Sequence, residues 1–279
     1  MKLKAYWTII MMAVTLTVGA HVHAQETIQV ARSDDKSLSL TLYGAWLKER
    51  CDPIMILSHG LNDDGSSLSF MAQYFAKKGF NVAVMNHPES NKDTVVGAST
   101  EEFIASSHDT YKFKARMLDL SAAYKYATQN CKPETQVMGG YAMGAALTVL
   151  EAGAKSKLPI KGEDRFTAYI ALSPQGVGKI FSRAAWTKIV KPMLMMTGTK
   201  DDTLDGETYI SRLDAFYGLP VSGNKRVGIL QDATHQDLGG NGKRKVQTQM
   251  NHFAAEFLTT LSKGQWRSSR MRSIDSRDK

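Results

Sequence analysis

The chain has 279 residues, of which 43% are hydrophobic and 22% charged, and a formal net charge of +8. That length suits one large α/β domain or two small ones, and the balance excludes wholesale disorder. The positive charge carries no nucleic-acid signature, because no basic run is interleaved with aromatic residues and no nucleic-acid-binding motif is present.

The first residues read as an address, not as fold. Lys2 and Lys4 form a short basic start, an apolar run follows over residues 6–20, and Val22-His23-Ala24 ends it with a small residue. This is the pattern of a signal peptide over residues 1–24, cleaved before Gln25. The run is shorter than the roughly 20 apolar residues that span a bilayer, so no transmembrane anchor is expected after cleavage. The expected localisation is therefore exported, periplasmic or secreted.

Beyond the leader, short apolar runs alternate with longer helical patterns. Residues 27–31 and 38–43 read as an antiparallel pair of strands. Residues 54–58 form a buried strand introduced by Pro53, residues 66–78 a helix stopped by Gly79, and residues 81–85 the next strand. Residues 87–110 are long, polar and rich in Ser and Thr, which marks them as a candidate cap loop, with Phe103 and Ile104 as its apolar members. Residues 111–129 form an amphipathic helix with Phe113, Met117, Leu120, Tyr124 and Ala127 on one face. A strand over 135–138 runs into Gly140-Tyr141-Ala142-Met143-Gly144, followed by a helix over 143–154. Later strands cover 168–172, 192–196 and 226–231, and a closing helix covers 246–261. The alternation implies a mostly parallel sheet of about eight strands with helices on both faces, in one domain over residues 25–263. Residues 264–279, with Arg267, Arg270, Arg272, Arg277 and Lys279 among several serines, read as a basic, disordered tail.

Chemistry in open α/β sheets gathers at the carboxyl ends of strands. Gly140 to Gly144 has the outline of a nucleophile elbow, the strand–helix turn that exposes a serine, but Ala142 stands at the serine position. Tyr141 is expected to point away from the site. His59-Gly60-Leu61 follows another strand, and the N–H groups of Leu61 and Met143 are candidate oxyanion donors. Asp201 follows the 192–196 strand, with Asp202 as reserve, and His235 follows the last strand. An acid that orients a histidine, and a histidine that acts as base, complete the order nucleophile, acid, base along the chain. No His-Glu-x-x-His and no Cys/His cluster is present, so neither a metal nor a cofactor is expected.

Together these stretches, with Asn86-His87-Pro88 and Ala171-Leu172-Ser173-Pro174-Gln175-Gly176, resemble the α/β-hydrolase superfamily, in particular bacterial dienelactone-hydrolase-like and platelet-activating-factor-acetylhydrolase-like proteins. The resemblance implies a nucleophile at position 142, an acid at Asp201, a base at His235, and oxyanion donors at Leu61 and Met143. It implies small-molecule or lipid esters as substrates. It also makes the strands near Ile54 and Thr135 neighbours, which brings Cys51 and Cys131 to the amino edge and implies a disulfide between them. Ala142 departs from the pattern, since a methyl group cannot attack a carbonyl. Two readings stand at this point: an esterase whose serine has been replaced, or a pseudoenzyme that binds or scaffolds without chemistry. Direct activation of water by His235 is a third, slower route.

Overall fold

Nine strands form one sheet in the computed structural model, which describes residues 25–264, 266–269, 271 and 273–279. The expected leader lies outside those residues. The strands are β1 (Glu26–Ala31), β2 (Ser37–Tyr43), β3 (Ile54–Ser58), β4 (Asn81–Asn86), β5 (Gln136–Tyr141), β6 (Ala168–Leu172), β7 (Met193–Lys200), β8 (Lys225–Thr234) and β9 (Ile274–Asp278). Their order is β1-β2-β4-β3-β5-β6-β7-β8-β9. The six strands β3 to β8 pair in parallel, while β1, β2 and β9 add antiparallel margins.

The buried strands alternate sides with period two, so each feeds two cores. Ile56, Met138, Ala171 and Met195 meet α3 (Thr110–Thr128), α4 (Met143–Glu151) and α5 (Tyr209–Gly218) on one face. Met55, Leu57, Val137, Ile170 and Met196 meet α1 (Ser69–Ala76), α6 (His235–Leu238) and α7 (Arg244–Ser262) on the other. Helices on both faces explain why the central strands read as near-continuous apolar runs.

α1 is shorter than the 66–78 expectation. Asp64 draws Ser66 and Ser67 into a turn, with its carboxylate accepting from Ser66 N at 2.7 Å, so the helix begins only at Ser69. Residues 87–110 contain a helix, α2 (Thr100–Ser106), which starts with a capping box between Ser99 and Glu102. Phe103 and Ile104 are half-buried on it. The first part of the segment is tied to the loop after β3. Asp63 bridges Asn91, and Asn62 N donates to Ser90 O at 3.2 Å.

The C-terminal segment corrects the expectation of a disordered tail. Ile274–Asp278 pairs antiparallel with β8, Ile274 is 5% exposed, and Asp278 Oδ1 accepts from Arg226 Nε at 2.6 Å. The mean composition of the tail is polar, but a five-residue strand needs only one inward apolar residue once a sheet edge is available to pair with. Arg270 and Arg272 lie outside the described residues.

At the opposite edge of the sheet from the strand ends described next, Cys51 and Cys131 form a disulfide with a Cα separation of 5.8 Å. They precede β3 and β5, which are paired neighbours.

Candidate active site

Strand register assembles the site. Tyr141 pairs with Leu172, so the next residues, Ala142 and Ser173, leave adjacent strands at one level. Lys200 pairs with Thr234, so Asp201 and His235 emerge side by side. The β7–β8 ladder shifts register between Gly198 and Lys200, a bulge of the kind that re-aims side chains beside functional sites.

Ala142 has φ 48° and ψ −112° and is the N-cap of α4 without a side-chain cap. Positive φ is uncommon for a residue with a Cβ. The turn is imposed by its flanks. A Cβ on Gly140 would strike Gly144 O, and a Cβ on Gly144 would strike Ser58 O and His59 O. Only glycine at both positions lets α4 start this close to β3 and β5. Met143 is the first residue of α4, where backbone N–H groups have no partner inside the helix.

Asp201 is wholly buried and four groups hold its carboxylate. His235 Nδ1 lies 2.7 Å from Oδ1, Ser173 Oγ donates to Oδ1 at 3.0 Å, Thr197 Oγ1 donates to Oδ2 at 2.8 Å, and Arg212 Nε lies 3.1 Å from Oδ2. Burial alone would raise this carboxyl. The hydrogen bond from His235 and the nearby Arg212 guanidinium outweigh it and hold the group below the usual carboxylate range. Asp202, the reserve candidate, is exposed. A carboxylate so placed keeps the proton on Nδ1 of His235 and leaves Nε2 as the basic nitrogen. His235 opens the short helix α6, whose cap Thr234 accepts from Asp237 N at 3.3 Å.

The Ser173 hydroxyl contacts both members of this pair, lying 3.0 Å from His235 Nδ1. It touches the imidazole on the nitrogen that faces Asp201, so it cannot give its proton to Nε2. It has φ 55° and is fully buried, which makes it a support for the carboxylate. Tyr141 differs from the expectation that it points away. Its ring centroid lies 5.0 Å from that of His235. Burial pushes its phenol above the ordinary range. The ring fits there because Gly60 and Gly239 present no side chain against it.

A second polar cluster lies under the Gly60–Leu61 loop and was not legible in the sequence. Ser58 Oγ is 2.8 Å from His87 Nε2, and His87 Nδ1 is 2.8 Å from Asp119 Oδ2. Arg32 pairs with Asp119 at 2.9 Å. Arg116 donates to Ser58 Oγ, Ser90 Oγ, His59 O and Gly60 O. Burial, with Arg116 nearby, holds both His59 and His87 well below the usual histidine range, so both are neutral. The available signal was Arg116 and Asp119 three residues apart on the inward side of α3, where a stripe of apolar residues was expected. Arg212 was likewise missed, since its partners Asp201 and Glu207 are brought to it only by the fold. Among the described residues, no cluster of three or more His, Cys, Asp or Glu could hold a metal ion.

No protein family matches the sequence, and no curated protein does. Solved structures do match. A putative dienelactone hydrolase from Klebsiella pneumoniae aligns with a TM-score of 0.63 at 12% identity, over 84% of this chain and 99% of that one. Esterase 2 of Thermogutta terrifontis, phosphorylated by paraoxon, aligns with a TM-score of 0.58 at 15% identity, over 85% and 94% of the two chains. An esterase of Pyrococcus furiosus aligns with a TM-score of 0.56 at 15% identity, over 85% and 92%. The chain therefore has the α/β-hydrolase fold.

Proposed function

We propose that this α/β-hydrolase fold is the scaffold of a carboxylic-ester hydrolase, complete except for its nucleophile. The observation that carries the reading is Ala142, held at φ 48° in an elbow next to an oriented His235–Asp201 pair. A strained backbone of this kind costs on the order of 1–3 kcal/mol and persists where the site needs it. An alanine gains nothing from being displayed at a strand end.

In the serine-bearing form, the hydroxyl at position 142 attacks an ester carbonyl and its proton passes to His235 Nε2. The N–H groups of Leu61 and Met143 stabilise the tetrahedral oxyanion. His235 then protonates the departing alkoxide, leaving an acyl-enzyme that water hydrolyses by the reverse proton path. Asp201 remains ionised throughout and fixes the ring. With Ala142 no acyl-enzyme forms at this position, and the chain is inactive or nearly so. The substrate class is a small-molecule or lipid ester, a reading supported by the esterases among the structural neighbours. Residues 87–110, tied to the loop that carries Leu61, shape the entrance.

Export belongs to the same reading. The Cys51–Cys131 disulfide supports an oxidising compartment, where such bonds form and persist.

Ala142 itself favours a second reading, a pseudoenzyme that binds or scaffolds in the periplasm. Hydrolysis of a panel of p-nitrophenyl and lipid esters separates the two. The Ala142→Ser variant is expected to turn over short-chain esters and the alanine chain to leave them intact. A folded Ala142→Ser variant that cleaves none of them favours the binding protein.

A further inference from the structure

We propose that Arg116 is a positioning residue that turns the Leu61 N–H toward the site. The inference rests on the reading of Leu61 as an oxyanion donor. Arg116 lies on α3, fully buried, in contact with the backbone beneath the loop after β3. Its Nη1 donates to His59 O at 2.5 Å and its Nη2 to Gly60 O at 3.0 Å. One planar guanidinium thus grips two consecutive carbonyls, a task for which its rigid fork is suited and a lysine ammonium is not.

The consequence for Leu61 follows from peptide geometry. No cis peptide bond occurs among the described residues, so the C=O of Gly60 and the N–H of Leu61 point in opposite directions across one planar unit. Gly60 O is drawn into the buried side twice, by Arg116 and by His59 Nδ1 at 2.6 Å. The Leu61 N–H therefore faces the other way, to the open side of a half-exposed residue. The start of α4 borders the same loop, with Gly144 set against Ser58 O and His59 O.

The remaining contacts hold the guanidinium in place. Nε donates to Ser90 Oγ at 2.8 Å, and Nη1 also reaches Ser58 Oγ at 3.2 Å. Ser58 in turn meets His87, which is fixed by Asp119 and Arg32. His59 is locked from its far side, where Nε2 accepts from His87 N at 3.1 Å. The serine–histidine–aspartate series Ser58–His87–Asp119 is wholly buried and so acts as a brace, not as a second catalytic centre.

Amide NMR of the chain as it stands tests this directly. In Arg116→Met the Leu61 amide resonance is expected to shift and its solvent exchange to change, while the amides of β7 and β8 stay in place. Arg116→Lys, which keeps the charge and loses the fork, is the second variant should the first not fold, and a partial shift is expected from it. In the Ala142→Ser background Arg116→Met is expected to lower kcat by roughly 10²–10³-fold, as for loss of one oxyanion donor, with KM changed by less than about threefold. A folded variant whose Leu61 amide is unchanged overturns the proposal. So does a rise in KM with kcat retained. If Ala142→Ser hydrolyses nothing, the esterase reading fails by itself, and the amide measurement still decides the role of Arg116.

Discussion

At Ala142 the backbone adopts an uncommon conformation for the sake of a side chain that has no chemistry. At neighbouring strand ends stand Asp201 and His235, 2.7 Å apart. Asp201 illustrates how far the site was legible in the sequence. Its place after a strand, before a histidine after the next strand, is a chain-local pattern, so both were found. Ser173 and Arg212, which complete the carboxylate's surroundings, become its neighbours only through the register of β6 and β7 and the packing of α5, and no local spacing announces that. The pKa of Asp201 gives a pH prediction. Its folded value lies below that of the unfolded chain, so its stabilisation is present above the ordinary carboxylate range. It is lost as pH falls through the folded value. Asp201→Asn is therefore expected to melt below the parent chain at neutral pH, with the gap narrowing on acidification. A gap that does not depend on pH would contradict this.

Strands with strong β-branched or apolar runs could be placed from sequence to within a few residues, because burial on both faces writes itself into composition. Elements with weaker patterns could not. α2 has no buried residue, α5 presents Arg212 on its inward face, and β9 follows a basic, serine-rich stretch. For β9 the missing information was the open edge of β8. Its contribution is testable through Ile274, which pairs with Leu230 and belongs to the same core cluster as Phe253 and Phe257. Ile274→Ala is expected to cost about 2 kcal/mol, the lower end for a buried isoleucine because the strand lies at the margin. Denaturant unfolding measures it, and a loss below about 0.5 kcal/mol would return the segment to the status of a loose tail.

The whole molecule divides into a chemical edge and a structural edge. The carboxyl ends of β3, β5, β6, β7 and β8 gather Gly60, Ala142, Ser173, Asp201 and His235, while the amino ends of β3 and β5 are clipped by the disulfide. The resemblance read from scattered motifs was sufficient for the fold because their order along the chain matches the order in which the sheet is wound. It could not supply the buried brace of Ser58, His87, Arg116 and Asp119, which depends on α3 lying under β3 and β4. The disulfide spans a sequence separation of 80 residues. Replacing both cysteines by serine is expected to cost up to about 4.5 kcal/mol by the chain-entropy estimate. Because the bond sits at the amino edge, the His235–Asp201 pair should be unaffected, as the imidazole resonances of His235 would report.

The most direct test of the central claim is covalent capture at position 142. Paraoxon phosphorylates the esterase from Thermogutta terrifontis that shares this fold. Intact-mass analysis after exposure to paraoxon should show one diethylphosphoryl group on Ala142→Ser, with nitrophenolate released and the label mapped to the elbow peptide. The alanine chain should gain none, and adding His235→Ala should slow capture sharply. An unmodified but folded Ala142→Ser variant, or an alanine chain labelled at Ser173, would contradict the account.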